Sequence, residues 1–277
     1  MKARLVLKPE EALLEPTAIM GDEEGIYFTF MSDLGVISSV LPEPLEPAFP
    51  LVSGYIVEIR KPSFGEYYRE AMLGVYVNVN GTIGMYPLTF LLSGPGAEMA
   101  TYLGREKTGL PKKLCENLED ISIERNGDVL RGTVRRKGSL LMDISLKLGE
   151  YNDPAAGDIY NHPEPGKVTG GTSFYFHTIL EPDETGTVAY RKVNLFSNEA
   201  QYTYKSWQKG KVSIRLYSSE NDAWGTFPVF ANMGGALSVN DLEMKELYVI
   251  ANPDPQKTMP KLMSTRFDKV ALVKGVE

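Results

Sequence analysis

Two adjacent lysines, Lys112 and Lys113, follow a helix-breaking Gly109-Leu110-Pro111 and close a segment that begins Gly104-Arg105-Glu106-Lys107-Thr108. Four cations thus fall within nine residues of a chain whose net charge is -7. On a solvated turn such residues do no chemistry, whereas inside an apolar pocket one of them becomes an amine nucleophile. A free lysine, with a pKa of about 10.4, is neutral in only about one molecule in 2,500 at pH 7, so attack on a carbonyl needs that pKa to fall. Desolvation and a neighbouring ammonium both push it down. An extended chain after Pro111 sends consecutive side chains to opposite faces, which keeps Lys113 from close approach to Lys112 and leaves desolvation as the stronger influence.

The elements that must hold such a lysine read mostly as strands. Asn80-Gly81 and Asn126-Gly127 supply the positive φ angles of tight hairpin turns. The first joins Val75–Val79 to Thr82–Tyr86, the second Ile121–Ile123 to Val129–Val134. From 139 to 148, Leu140, Met142, Ile144, Leu146 and Leu148 alternate with Asp143, Ser145 and Lys147, and Val212, Ile214 and Leu216 repeat the pattern. Further strand-like runs cover Phe174–Leu180, Val188–Phe196 and Glu246–Ile250. Helical signals are few: Ser32-Asp33 caps a short helix through Ser39, and another runs from Ala97 to Arg105 behind Pro95. Residues 151–171, rich in Pro and Gly, read as an excursion or lid rather than a linker, so the expectation is a single domain over 1–277.

Composition removes several classes of function. Lys+Arg 29 against Asp+Glu 36 argues against a nucleic-acid surface, which needs a basic stripe. The apolar run at Leu5-Val6-Leu7 ends at Lys8-Pro9-Glu10-Glu11 and is too short for a signal peptide, and no window is long enough to span a membrane. One cysteine, Cys115, excludes an intramolecular disulfide and a cysteine-based metal site, reads as a core residue, and fits a cytoplasmic location. His162 and His177 lie far apart with no partner at ligand spacing, so neither a histidine metal site nor a serine triad is expected. Gly94-Pro95-Gly96 is too short for a phosphate loop.

The string Gly104-Arg105-Glu106 with Pro111-Lys112-Lys113 resembles the signature of the acetoacetate decarboxylase superfamily. Leu41-Pro42-Glu43-Pro44-Leu45, the spacing from Glu70 through Asn80-Gly81 to Tyr86, and Asn240-Asp241-Leu242 with Lys245-Glu246 extend the likeness from about residue 26 to about 250. The resemblance implies a mostly β (α+β) protein, an antiparallel closed or cone-like barrel with a few short helices, and a homo-oligomer. It makes Lys112 the Schiff-base nucleophile, Lys113 its cationic neighbour and Glu70 an active-site carboxylate. Lysine activation of this kind is a general device that the family exemplifies. No cofactor and no metal are expected, because an iminium is itself the electron sink.

Two positions depart from the pattern. The decarboxylases carry a second carboxylate on the strand before Glu70, where counting back gives Tyr55, and Glu58 would face the other side. They also carry an arginine before the first strand, where this chain has Gly21-Asp22-Glu23-Glu24-Gly25. Three activities therefore stay open: decarboxylation of a small β-keto acid; an aldolase-dehydratase that condenses pyruvate with an aldehyde; and a non-catalytic small-ligand-binding barrel. In the second, Glu70 is base, Tyr55 donor and Arg105 the clamp for the keto-acid carboxylate, while Arg105 with Glu106 is alternatively a structural ion pair. A carbon-carbon lyase acting on a small keto acid, with no nucleic-acid or membrane partner, is the leading expectation.

Overall fold

The computed structural model describes residues 5, 6, 8, 17–182 and 184–272. Most of the Met1 to Glu11 stretch read above as no signal peptide lies outside them. Among the described residues, no helix is long and apolar enough to cross a membrane.

In chain order the elements are β1 (Ala18–Met31), α1 (Leu34–Val40), β2 (Glu46–Pro62), β3 (Tyr68–Val79), β4 (Thr82–Ser93) and α2 (Ala97–Leu103). A wide helical turn, Gly104–Thr108, leads to the short β5 (Lys112–Leu114). Then come β6 (Ile121–Asn126), β7 (Val129–Arg136), β8 (Ser139–Leu148), α3 (Ala156–Ile159), β9 (Val168–Pro182), β10 (Val188–Leu216), β11 (Ala231–Ala251) and α4 (Pro255–Arg266). The mostly-β expectation holds. Asp33 caps α1 as its position predicts, its side chain accepting the Val36 amide at 2.9 Å.

Both predicted hairpins form, through different turns. Asn80 and Gly81 have φ of 52° and 88°, as a type I′ turn requires. In the second hairpin Asn126 pairs with Val129, so the turn is Gly127-Asp128, with Gly127 at φ 63° as its first central residue. A third hairpin, β7 to β8, turns on Lys137 and Gly138 with φ of 49° and 74°. Next to that turn, where Val134 pairs with Met142 and Arg135 with Leu140, a bulge shifts the alternation of β8, so Leu141 as well as Met142 is fully buried.

The strands form one mixed sheet in which seven close into a ring, β11-β1-β2-β3-β4-β9-β10, because β10 pairs with both β9 and β11. The β4 to β9 joint is parallel and rests on the single pair Met85 with Ser173. Beyond the ring, the far half of β10 carries β8, β7 and β6 as a wing. Strand periodicity separates two apolar layers. Ile26, Phe28, Ile56, Leu73 and Leu91 pack outward with Leu130, Ile144 and Leu146 of the wing. Close packing of that layer shows at Gly132, where a Cβ would come within 2.7 Å of Ile56 Cδ1. The alternate residues Tyr55, Val57, Ile59, Tyr68, Met72, Phe90 and Leu92 form the other layer, which faces a cavity.

Candidate active site

β5 decides where the two lysines go. It pairs in parallel with β4, Lys112 opposite Phe90 and Lys113 opposite Leu91, so the pleat sends Lys112 to the cavity and Lys113 to the outer layer. Lys112 Nζ forms a buried ion pair with Glu70 Oε2 at 2.8 Å, and its walls are the rings of Phe90 and Tyr68, 5.4 and 5.9 Å away. Gly104 lies against the stem of the lysine: a Cβ there would stand 2.9 Å from Lys112 Cδ and Cε. A side chain at Gly104 would have to displace the Lys112 stem, so the glycine leaves the lysine its position where the turn passes it.

Lys113 is held elsewhere. Its Nζ donates to the Asn221 carbonyl at 2.7 Å and the Ser264 carbonyl at 2.8 Å, and it pairs with Asp222 Oδ1 at 3.2 Å. Arg136 shares Asp222 at 3.0 Å and binds Asp268 at 2.7 Å. This network ties β5 to β7 and to the chain around α4. Arg105 also serves the scaffold: it donates to the carbonyls of Lys112 (3.2 Å) and Arg266 (2.9 Å) and lies over the Phe267 ring. Neither Arg105 nor Glu106 lines the cavity. Glu106 makes no ion pair with Arg105; its backbone carbonyl faces His177 Nε2 at 2.9 Å. Buried Arg266 donates to the carbonyls of Gly109 and Phe176, so α4 clamps the whole lysine segment.

Tyr55 lies where counting back from Glu70 places it, and its hydroxyl donates to Glu70 Oε1 at 2.7 Å. Burial, reinforced by the nearby Glu70 and Glu23 carboxylates, holds the Tyr55 phenol well above its usual range. Glu58, one pleat out of phase, binds Arg69 and Arg60 on the other face at 3.1 and 3.2 Å. Both histidines have structural partners: His162 pairs with Asp158 at 2.9 Å, and neither ring lines the cavity. Cys115 packs against the outer layer, where burial pushes its thiol up.

The residue that sequence reasoning missed is Glu23. The Gly21–Gly25 segment does not precede the first strand but lies within β1. A register shift between Met20 and Glu23, with Asp22 at φ 50°, puts an irregular step there. Residues three apart face opposite ways on a regular strand, yet here both Met20 and Glu23 line the cavity. Glu23 is 1% exposed and accepts the hydroxyl of Tyr27, four residues on and on the same face. Burial, with the negative charge of Glu70 nearby, pushes the Glu23 carboxyl up to about 8, against the opposing pull of Asn240 and Lys112. The only sequence trace of this pair is the alternation Glu23-x-Gly25-x-Tyr27, too short to stand out.

The cavity measures about 970 Å³, at the upper end of the roughly 300–1,000 Å³ typical of small-molecule sites. One end holds Lys112, Glu70, Tyr68, Phe90 and Phe64; the other gathers Tyr160, Tyr202, Tyr204 and Trp207. Tyr27 links the two, its ring centroid 5.6 Å from Tyr55 and 5.9 Å from Trp207. Ile159 to Asn161, from the 151–171 excursion, contribute to the wall. Among the described residues, the cations on the wall are Lys107, Lys112 and Lys245.

A family model described as Acetoacetate decarboxylase (ADC) matches residues 6–252. The chain is 34% identical over 263 residues to a protein named CLA biosynthesis isomerase from Lactiplantibacillus plantarum, covering 90% of this chain and 89% of that one. Its fold is similar to a solved acetoacetate decarboxylase, with a TM-score of 0.71 at 19% identity over 90% of this chain and 96% of the other. It is also similar to the enduracididine biosynthesis enzyme MppR, solved with the condensation product of pyruvate and imidazole 4-carboxaldehyde. That match has a TM-score of 0.64 at 13% identity, over 89% of this chain and 95% of MppR.

Proposed function

Because the chain belongs to the acetoacetate decarboxylase family, we propose that it is an enzyme that joins an apolar, unsaturated ketone to Lys112 as a Schiff base and moves the double bond by proton transfer. The observation that carries this reading is the lysine in its cavity. An amine paired to a carboxylate faces about 970 Å³ of largely aromatic and aliphatic wall, far more space than a four-carbon keto acid fills. Likeness to a relative named an isomerase, over most of both chains, supports a reaction that breaks no carbon-carbon bond.

The groups around Lys112 suit proton movement better than carboxylate chemistry. A β-keto acid must place its carboxylate one carbon from the carbonyl, and pyruvate places it directly beside the carbonyl. Near Lys112 that carboxylate would meet Glu70 and the Glu23 carboxyl, while Arg105 is engaged with backbone carbonyls. Decarboxylation and pyruvate condensation share the first step but lack this anchor.

The contacts support one sequence of steps. Lys112 passes a proton to Glu70 across 2.8 Å, and the neutral amine adds to the ketone carbon. Glu70 returns the proton as the carbinolamine loses water, which leaves an iminium and a free carboxylate. The iminium acidifies the adjacent α-carbon, and Glu70, oriented by the Tyr55 hydroxyl, removes a proton there. Electrons move through the β,γ double bond to give a dienamine. Protonation at the γ-carbon restores an iminium, now conjugated, and water releases the α,β-unsaturated ketone and the amine. One water leaves and one is consumed, so the net change is a shift of one double bond.

The test is borohydride reduction in the presence of dodec-4-en-2-one, followed by intact-protein mass. A single adduct absent from Lys112→Ala, together with enzyme-dependent appearance of conjugated enone absorbance, is the expected result. No adduct on the wild-type protein overturns the reading.

A further inference from the structure

Glu23 is the one buried carboxyl on the cavity wall that the steps above leave without work. Its surroundings repeat those of Glu70. Glu70 accepts from Tyr55 and Glu23 accepts from Tyr27, and Tyr27 and Tyr55 are direct cross-strand partners on β1 and β2. Glu23 stands opposite Ile59 and Glu70 opposite Val57, so both carboxyls rise from the same face of the sheet on either side of β2, one pleat apart along it. One carboxyl–phenol pair holds the lysine; the other does not. Adjacent strands about 4.8 Å apart set the two backbones on the order of 10 Å from each other, and both side chains project into the shared space. An extended ketone fixed at Lys112 therefore has one carboxyl beside its α-carbon and a second farther along its chain.

We propose that Glu23, hydrogen-bonded to Tyr27, is a second catalytic residue, the proton donor to the γ-carbon of the substrate bound at Lys112. The proposal rests on the Schiff-base isomerase reading and adds the group that completes it. The step balances: the Glu23 O–H bond breaks, a C–H bond forms at the γ-carbon, and the dienamine electrons return to the iminium. Glu23 then recovers a proton from water between turnovers, while Glu70 releases the one taken from the α-carbon. A donor must hold its proton at working pH, and burial together with Glu70 across β2 favours the neutral acid. The charged and titratable groups around it are Tyr27 on its own strand, Tyr55 on β2, Tyr68 and Glu70 on β3, Lys112 on β5, Tyr202 and Tyr204 on β10 and Asp241 on β11.

The experiment uses the full chain and dodec-4-en-2-one in deuterium oxide, comparing wild type with Glu23→Gln, which keeps an oxygen acceptor for Tyr27. Wild type should give a conjugated product with one solvent deuterium at the γ-carbon. Glu23→Gln should still form the borohydride-trapped Lys112 adduct and exchange its α-protons, which reports a folded site. Its conjugated product should appear at least about 100-fold more slowly, the lower end of the range for a positioned acid. If Glu23→Gln is trapped normally and isomerises within about threefold of wild type, the proposal is wrong. It is equally wrong if the wild-type product carries the substrate's own α-proton at the γ-carbon, which would make Glu70 the only shuttle. Absence of a wild-type adduct overturns instead the lysine reading beneath it.

Discussion

Replacing Glu23 with glutamine should make the protein more stable, and the gain should grow with pH. The folded state holds the Glu23 proton up to about 8, whereas an unfolded glutamate gives it up near 4.5. Below pH about 4.5 both states are protonated and the side chain costs nothing through ionisation. Between the two values the unfolded chain has lost a proton that the folded chain keeps, so wild-type stability falls as pH rises. Above about 8 both states are ionised and the loss levels off. Each pKa unit corresponds to about 1.36 kcal/mol, so the three units from pH 5 to pH 8 amount to about 4 kcal/mol. Glutamine has no such slope, while Glu70, Lys112, Tyr27 and Asp241 are common to both proteins. Urea unfolding followed through the fluorescence of Trp207 and buried Trp224 measures the difference. The stability of Glu23→Gln relative to wild type should rise by about 4 kcal/mol between pH 5 and pH 8. A change below about 1 kcal/mol would mean that the folded carboxyl titrates like an exposed one, and the argument from burial would fail.

Three further outcomes follow from the geometry around the lysine. Tyr55→Phe removes the hydrogen bond to Glu70 Oε1; hydrogen bonds to charged groups are worth roughly 1.5–3 kcal/mol, so kcat should fall about 10- to 100-fold while trapping at Lys112 persists. Gly104→Ala brings a methyl to 2.9 Å from Lys112 Cδ and Cε, and should cut adduct formation at least about tenfold with an unchanged circular dichroism spectrum. Asp222→Ala leaves Lys113 and Arg136 buried without their shared carboxylate, which should cost about 3–5 kcal/mol by denaturant unfolding; a loss under about 1 kcal/mol would show that water or Asp268 compensates.

Local chemistry made much of this protein legible from its residues alone. Asn80-Gly81 turns where it must because those two residues tolerate positive φ, and Val212-x-Ile214-x-Leu216 is a strand because the side-chain period is two. The same period predicts that Lys113 leaves the site once Lys112 is on a strand, and that Glu58 cannot stand in for Tyr55. Both follow from the pleat alone, and in the structure Lys113 and Glu58 bind partners outside the cavity. The lysine motif and the spacing to Glu70 are equally matters of sequence.

Other features needed the third dimension. Arg105, two positions beyond the end of α2 and seven before the lysine, has the charge to clamp a keto acid, and only the packing of β5 and α4 against the turn gives it the backbone carbonyls of Lys112 and Arg266 instead. A sequence carries no record of which of two charged partners a guanidinium meets first in space. Size of the cavity is likewise decided by how seven strands close into a ring and by which residues of 151–171 reach it. Glu23 is the sharpest case. Between two glycines and beside two other acids it reads as part of an acidic segment before the first strand, because the strand that carries it has no clean alternation and the irregular step at Asp22 resets the pleat. The lysine announces itself by its neighbours in sequence, since the turn and the strand that present it are local. The second carboxyl does not, because what turns it inward is a one-strand irregularity and what keeps its proton is the burial supplied by the remaining strands of the ring.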